Sequence, residues 1–169
     1  MRVLRVLSPD ADEPLAQSVR EGVRAFNRGL DIRLRFLSIV VEDSELRVAD
    51  PESAAELMGR SLEEFAPTVV LVQGGDASAL AAATLAARTD AVVAHLAAGD
   101  RGVDDVDTAR ALDHVCGLLL ALGESEMQVL RDEGLLDRAR LLTPGEGLGH
   151  QVIKALRAER VRRRGDATC

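Results

Sequence analysis

The chain has 169 residues, 47% hydrophobic and 29% charged, a balance that specifies one globular domain with a sizeable core. A net charge of -7 excludes a nucleic-acid binder that works by displacing phosphate counterions. No segment reaches the ~18 continuous apolar residues of a membrane helix, so no membrane partner is expected.

Residues 2–7 alternate basic and apolar side chains and end at Ser8-Pro9-Asp10, a strand followed by a turn. Over 12–28 the apolar residues Leu15, Val19, Val23 and Phe26 recur every three or four positions, one face of a helix, and Asn27 and Gly29 suit its C-terminal end. Residues 30–41 read as a second strand, with Ile32, Leu34 and Phe36 alternating against Asp31, Arg33 and Arg35, and 42–50 read as a polar loop. Asp50-Pro51-Glu52 places a capping residue before a proline at the first helical position, opening a helix to about residue 65.

Beyond Pro67 the pattern predicts a strand over 68–73, a helix over 77–88 and a strand over 91–95. A helix over 104–116, a short strand over 117–122 and a helix over 124–133, ended by Gly134, come next. A sixth strand over 138–143 and a terminal helix over 147–164 complete the alternation. Six strands alternating with helices imply a single α/β domain: a Rossmann-like, doubly wound parallel sheet of about six strands with helices on both faces. Aromatics are only 2%, so the core must be Leu, Val, Ile and Ala, which suits strands buried on both faces. Residues 1–156 form the domain and 157–169 a basic helix end and tail.

Cys116, inside an apolar helical segment, and Cys169 provide neither a disulfide framework nor metal-ligand spacing. No metal and no cofactor is expected. A reduced cytoplasmic setting is the default, and the first twelve residues hold too short an apolar run for a signal peptide.

Chemistry-bearing residues gather after the strands at 68–73 and 91–95. In an open α/β sheet ligands bind at the carboxyl ends of the strands, so Gly75, Asp76, His95 and Gly99 mark the candidate site. Gly74-Gly75-Asp76-Ala77-Ser78 turns sharply into a helix whose first N–H groups favour an anion. Asp76 caps that helix or contacts a ligand. His95 is a structural hydrogen-bonding residue or a general acid or base, since its ordinary pKa lies near neutrality. Asp100 and Arg101 read as an exposed turn pair. Asp104, Asp105 and Asp107, ahead of Arg110, Asp113 and His114, read as capping and surface pairing, with Asp107 able to meet Arg110. Arg110 could instead face the strand ends. His114 and His150 are structural or exposed, and the run Arg157, Arg160, Arg162, Arg163 and Arg164 is a solvated helix end.

This order of motifs resembles the N-terminal domain of the non-hydrolysing UDP-N-acetylglucosamine 2-epimerases. The family's strand, Gly-Asp-Thr-type turn and Ala-rich helix match residues 71–78 and beyond, and its His-Val-Glu-Ala-Gly-Leu-Arg-type turn matches 95–101. Residues 104–110 resemble its acidic loop leading to an Arg-containing helix. Gly123-Glu124-Ser125-Glu126 followed by Leu130-Arg131-Asp132-Glu133-Gly134 is similar to its Thr-Glu and Leu-x-x-Glu-Gly run. Residues 143–156 resemble the Gly-Asn segment that leads towards its interdomain connection. The likeness spans about 62–156.

The departures bear on activity. Ala97 stands where the family's motif has a catalytic glutamate, and residues 8–13 lack its Gly-Thr-Arg-Pro-Glu loop with the phosphate-side arginine. The region before residue 62 is shorter and holds no Thr-Gly-Gln-His-like motif. The sequence also stops short of the family's C-terminal domain, with its catalytic histidine and most of the uridine pocket. Asp76 is left as the matching acidic candidate, with Asp105 or Asp107 as a second. The resemblance therefore implies a stand-alone noncatalytic interaction or regulatory module, forming a homodimer. Two alternatives stand beside it: half of a split nucleotide-sugar isomerase completed by a partner protein, and a weak nucleotide-sugar or phosphate sensor. Ligand contacts are expected at Gly75, Asp76, Ser78, His95, Gly99, Arg101 and Arg110, with Asp76 and His95 as the catalytic candidates. The alanines Ala79, Ala82, Ala83 and Ala86 offer a surface for close helix packing between copies.

Overall fold

Apolar runs and their caps place the elements in this chain. In order they are β1 (Arg2–Leu7), α1 (Glu13–Gly29), β2 (Glu42–Arg47), α2 (Pro51–Glu64), β3 (Val69–Gln73) and α3 (Ala77–Ala86). There follow β4 (Val92–Leu96), α4 (Val106–Val115), β5 (Leu118–Ala121), α5 (Glu124–Asp132), β6 (Ala139–Leu141) and α6 (Leu148–Asp166). The computed structural model describes residues 1–29, 41–145 and 147–166. The six strands form one parallel sheet in the order β2-β1-β3-β4-β5-β6.

Both faces of the sheet are buried. Val70 and Val72 of β3 join Met58, Leu112 and the α3 alanines on one side. Val69 and Leu71 join Val19, Val23, Val152, Ile153 and Leu156 of α1 and α6 on the other. A strand that must be apolar on both sides loses the polar alternation of a half-exposed one, hence the continuous run VVLV in β3. The helix α1 meets α6 at two glycines, and a Cβ on either Gly22 or Gly149 would collide with the other's backbone.

Caps mark the helix starts. Asp50 accepts from the Ser53 amide and Ser53 answers the Asp50 amide, a reciprocal capping box with Pro51 at the first helical position.

The sequence expectation is corrected at the second strand. The strand read over 30–41 lies, Val41 apart, outside the described residues, whereas 42–47, read as loop, pairs with β1 along its whole length. The segment Glu-Asp-Ser-Glu-Leu-Arg is an edge strand, whose partner is an arginine on β1. Arg5 is buried, and its guanidinium meets Asp43 at 2.7 and 2.9 Å and Glu45 at 2.6 Å. Charge rather than apolar alternation carries the inward-facing signal here, and charged edges also resist pairing with other chains.

The α3 alanines need a second correction. Ala79, Ala82, Ala83 and Ala86 are each 0% exposed in the single chain, so they are core and not a surface between copies. Small side chains let α3 sit close between α2, α4 and the sheet.

Candidate functional site

Going along the sheet, the chain leaves β1 towards β2 and then crosses back to β3, so the strand order reverses between β1 and β3. A crevice opens at such a reversal, above the carboxyl ends of the strands. A cavity of about 190 Å³ lies there, lined among others by Asp10, Asp12, Gly74, Gly75, His95 and Ala97. A larger concavity of about 940 Å³, lined in part by Thr68, Val92 and Arg163, sits at the amino ends of β3 and β4. It is away from the loops at the carboxyl ends of the strands, so the smaller cavity is the better candidate.

The β3 turn is closed from below by the loop after β1. Gln73 is buried and donates through its side-chain nitrogen to the Asp12 carbonyl at 2.6 Å. Gly74 has φ +109°, and the space a Cβ would need is held by the Ser8 hydroxyl and an Asp10 carboxylate oxygen. The Gly75 amide donates to Asp10 Oδ2 at 2.9 Å, and the Ser8 hydroxyl is bonded to Asp10 Oδ1. Asp76 accepts from the Ser78 and Ala79 amides, both at 2.9 Å, and is the N-cap of α3. The amides of Gly75, Ser78 and Ala79, expected to attract an anion, are therefore taken by the chain's own carboxylates.

His95 is 4% exposed at the end of β4, with both ring nitrogens facing oxygen acceptors. Nδ1 lies 2.6 Å from Asp113 Oδ1 and Nε2 lies 3.1 Å from the Gly74 carbonyl oxygen. Asp113, on α4, is fully buried and also accepts from the Gly99 amide at 3.1 Å and from Arg101 at 2.9 Å. Burial alone would raise the Asp113 carboxyl, but the His95 ring and the Arg101 guanidinium reverse this and hold it below its ordinary value. Arg101 continues to Glu133 at 2.7 Å, and Arg110 joins Glu133 at 3.0 Å and Asp107 at 3.2 Å. Burial would raise the Glu133 carboxyl as well, yet the two arginines bring it below its usual range.

The turn after β4 is tight. Ala97 has φ +67°, a left-handed conformation uncommon for a residue with a Cβ, and its amide donates to the Leu120 carbonyl at 2.9 Å. Gly99, φ +85°, packs on α5, where a Cβ would stand 2.5 Å from the Glu126 carbonyl oxygen.

Of the residues expected to contact a ligand, Gly75 and His95 line the cavity. Asp76 caps α3, Ser78 is buried behind it, and Gly99, Arg101 and Arg110 belong to the Asp113–Glu133 network. Arg101, read as half of an exposed pair, is largely covered, with 15% of its side chain exposed, and Asp113, read as surface pairing, has none. Sequence reading missed Asp10 and Asp12 as lining residues; their position straight after β1 was the available signal. Asp105 caps α4 through the Thr108 amide. Burial pushes the Cys116 thiol well above its usual value, which makes it a core residue rather than a nucleophile. Among the described residues no group of three or more His, Cys, Asp or Glu side chains is placed to hold a metal ion, and no helix is long and apolar enough to cross a membrane.

Comparison with known proteins agrees with this fold. The family description UDP-N-acetylglucosamine 2-epimerase matches residues 20–162. The UDP-GlcNAc 2-epimerase of Methanocaldococcus jannaschii superposes with TM-score 0.61 at 21% identity, covering 84% of this chain and 45% of that one. The Neisseria meningitidis enzyme, solved bound to UDP-GlcNAc, gives 0.63 at 15%, covering 83% and 45%. The Rickettsia bellii enzyme gives 0.62 at 17%, covering 96% and 47%. No curated protein matches. This chain thus spans a little under half the length of those structures. The chain belongs to the UDP-N-acetylglucosamine 2-epimerase family.

Proposed function

We propose that this epimerase-fold domain is noncatalytic and serves as an interaction or regulatory module. One observation carries the reading: the cavity has no carboxylate at the family's glutamate position, and the histidine that lines it has both ring nitrogens bonded within the fold. Epimerisation at a sugar carbon needs an acceptor within about 3 Å of the departing proton, with an open lone pair. Ala97 presents a methyl group at the position where the family's motif has its glutamate. The His95 nitrogens are held by Asp113 and Gly74, and Asp10 by Ser8 and Gly75. Asp12 accepts from the Leu15 amide and Asp100 from the Gly102 amide. Asp12 and Asp100 are exposed to water, where a carboxylate is a weak base towards a sugar C–H proton.

Incubating the purified chain with UDP-N-acetylglucosamine in deuterated water tests this at high sensitivity. The expected outcome is neither the mannosamine epimer nor deuterium at the sugar C2. Enzyme-dependent appearance of either, absent from a mock purification, overturns the reading.

A second reading is favoured by the position of the cavity, which opens at the carboxyl edge of one sheet only. In it, a partner protein completes the cleft and supplies the proton-transfer groups, making this chain one half of a split nucleotide-sugar isomerase. Co-purification of a second, complementary α/β domain together with turnover separates it from the first reading. A cytoplasmic setting accompanies both. Self-association as a symmetric homodimer also belongs to the first reading, through a surface other than α3.

A further inference from the structure

The cavity after β1 and β3 is lined by carboxylates, whereas the similar Neisseria meningitidis enzyme was solved bound to UDP-GlcNAc. We propose that Asp10 determines what it accepts. The Asp10 carboxylate fills the anion position of the β3 turn, so the cavity refuses phosphate-bearing ligands and is left for an uncharged, hydroxyl-bearing one. This rests on the reading of the sheet's carboxyl edge as the functional one.

A glycine turn that opens a helix offers unpaired amides, the donors that a phosphate uses. Here Gly75 donates to Asp10 Oδ2 at 2.9 Å, while Ser78 and Ala79 donate to Asp76. Asp10 is held in place: the Ser8 hydroxyl bonds its other oxygen, and Ser8 is tied to β3 through the Gln73 carbonyl at 3.2 Å. Only a glycine fits at position 74, because Ser8 and Asp10 occupy the side-chain space there. Loop and turn are thus shaped to each other, and the contact is a built plug.

Nothing nearby offsets the charge. Asp10, Asp12 and Asp100 line the cavity, and no Lys or Arg is among its lining residues. The arginines of the neighbouring turn and helix, Arg101 and Arg110, are directed to Asp113 and Glu133. A phosphate entering here meets like charge, and the Gly75, Ser78 and Ala79 donors are occupied. A sugar hydroxyl meets carboxylate oxygens able to accept from it. The volume, about 190 Å³, lies below the roughly 300 Å³ at which drug-sized pockets begin, and suits one small ring better than a nucleotide.

Calorimetric titration with UDP, UDP-N-acetylglucosamine and N-acetylglucosamine at low ionic strength, with the Gly75 amide followed by NMR, tests the proposal. In the unaltered chain the two phosphate-bearing compounds should bind no more tightly than the neutral sugar. Asp10→Ala should gain about tenfold or more for UDP, since it removes a like charge and frees the Gly75 donor. Asp10→Asn, which keeps an oxygen for Gly75, should gain less, and neither variant should gain for N-acetylglucosamine. Tighter binding of UDP than of the neutral sugar by the unaltered chain, with a shift at Gly75, overturns the proposal. So does a folded Asp10→Ala with no gain; where that variant does not fold, Asp10→Asn decides by the same criterion. Tight UDP binding without turnover removes this inference and leaves the noncatalytic reading intact, whereas turnover of UDP-N-acetylglucosamine removes both.

Discussion

Asp113 is the residue on which the candidate site hangs. It joins the end of β4, the following turn and α4 in one set of contacts: His95, the Gly99 amide and Arg101. Breaking a buried ionic pair by removing one partner costs about 3–5 kcal/mol, because the charge left behind stays desolvated. Asp113→Asn keeps the shape and removes the charge from beneath Arg101. Its expected effect is a loss towards the lower end of that range in denaturant unfolding, since Glu133 still pairs with Arg101. The pH dependence has a defined sign. The folded carboxyl lies below its ordinary value, so as acid is added the unfolded chain takes up the proton first. Stability from Asp113 is complete above the unfolded value near ~3.9 and is lost as the pH falls through the lower folded one. Melting curves taken across the acid range should therefore be flatter for Asp113→Asn than for the unaltered chain below about pH 4.

Two element contacts depend on residues that look ordinary in the chain. Gly22 and Gly149 let α1 and α6 cross with backbones touching, on the face of the sheet that holds Leu71 and Ile153. Overpacking a closed contact costs about 1–3 kcal/mol, and Gly22→Ala is expected to reach the upper part of that range, since backbone atoms cannot rotate away. Chemical denaturation of Gly22→Ala beside Gly59→Ala separates the effect from helix propensity. Gly59 has nothing within 4 Å of its Cβ position, so its replacement should leave stability unchanged or raise it. The other contact is Arg5 with β2. Asp43 and Glu45 retain 19% and 23% side-chain exposure, so this pairing contributes less than a fully buried one while still fixing the strand's register.

At the scale of the molecule, the strand reversal between β1 and β3 decides where a ligand can lie, and both loops at that point are acidic. A domain with this net charge and a carboxylate-lined cavity repels a diphosphate before contact. On the proposal above, the loop after β1 is the feature that sets this chain apart from a nucleotide-sugar binder. Assembly is a separate matter. With the α3 alanines buried, a homodimer has to use another surface, and sedimentation at micromolar concentration is expected to give a symmetric dimer. A monomer at every concentration removes self-association from the proposed function and leaves the cavity's chemistry untouched.

The sequence alone determined the parallel α/β sheet, because doubly buried strands must be apolar without interruption and leave long runs such as 69–72. It determined the helix starts at Asp50 and Asp76, since capping is a contact between residues two or three apart. It also determined the family, through motifs that keep their order between about residues 62 and 156. Only the tertiary structure decided β2, whose polar residues read as loop until Arg5 is placed opposite them. It alone decided that Asp10 fills the turn at Gly75, a contact across 65 positions, and that Asp113 lies beneath His95. For Arg5 and Asp113 the reason is that a buried charge is tolerated only where the fold brings its partner; for the exposed Asp10 it is that the loops after β1 and β3 meet only in the folded sheet. In each case the partner's distance along the chain is set by topology, which local pattern does not record.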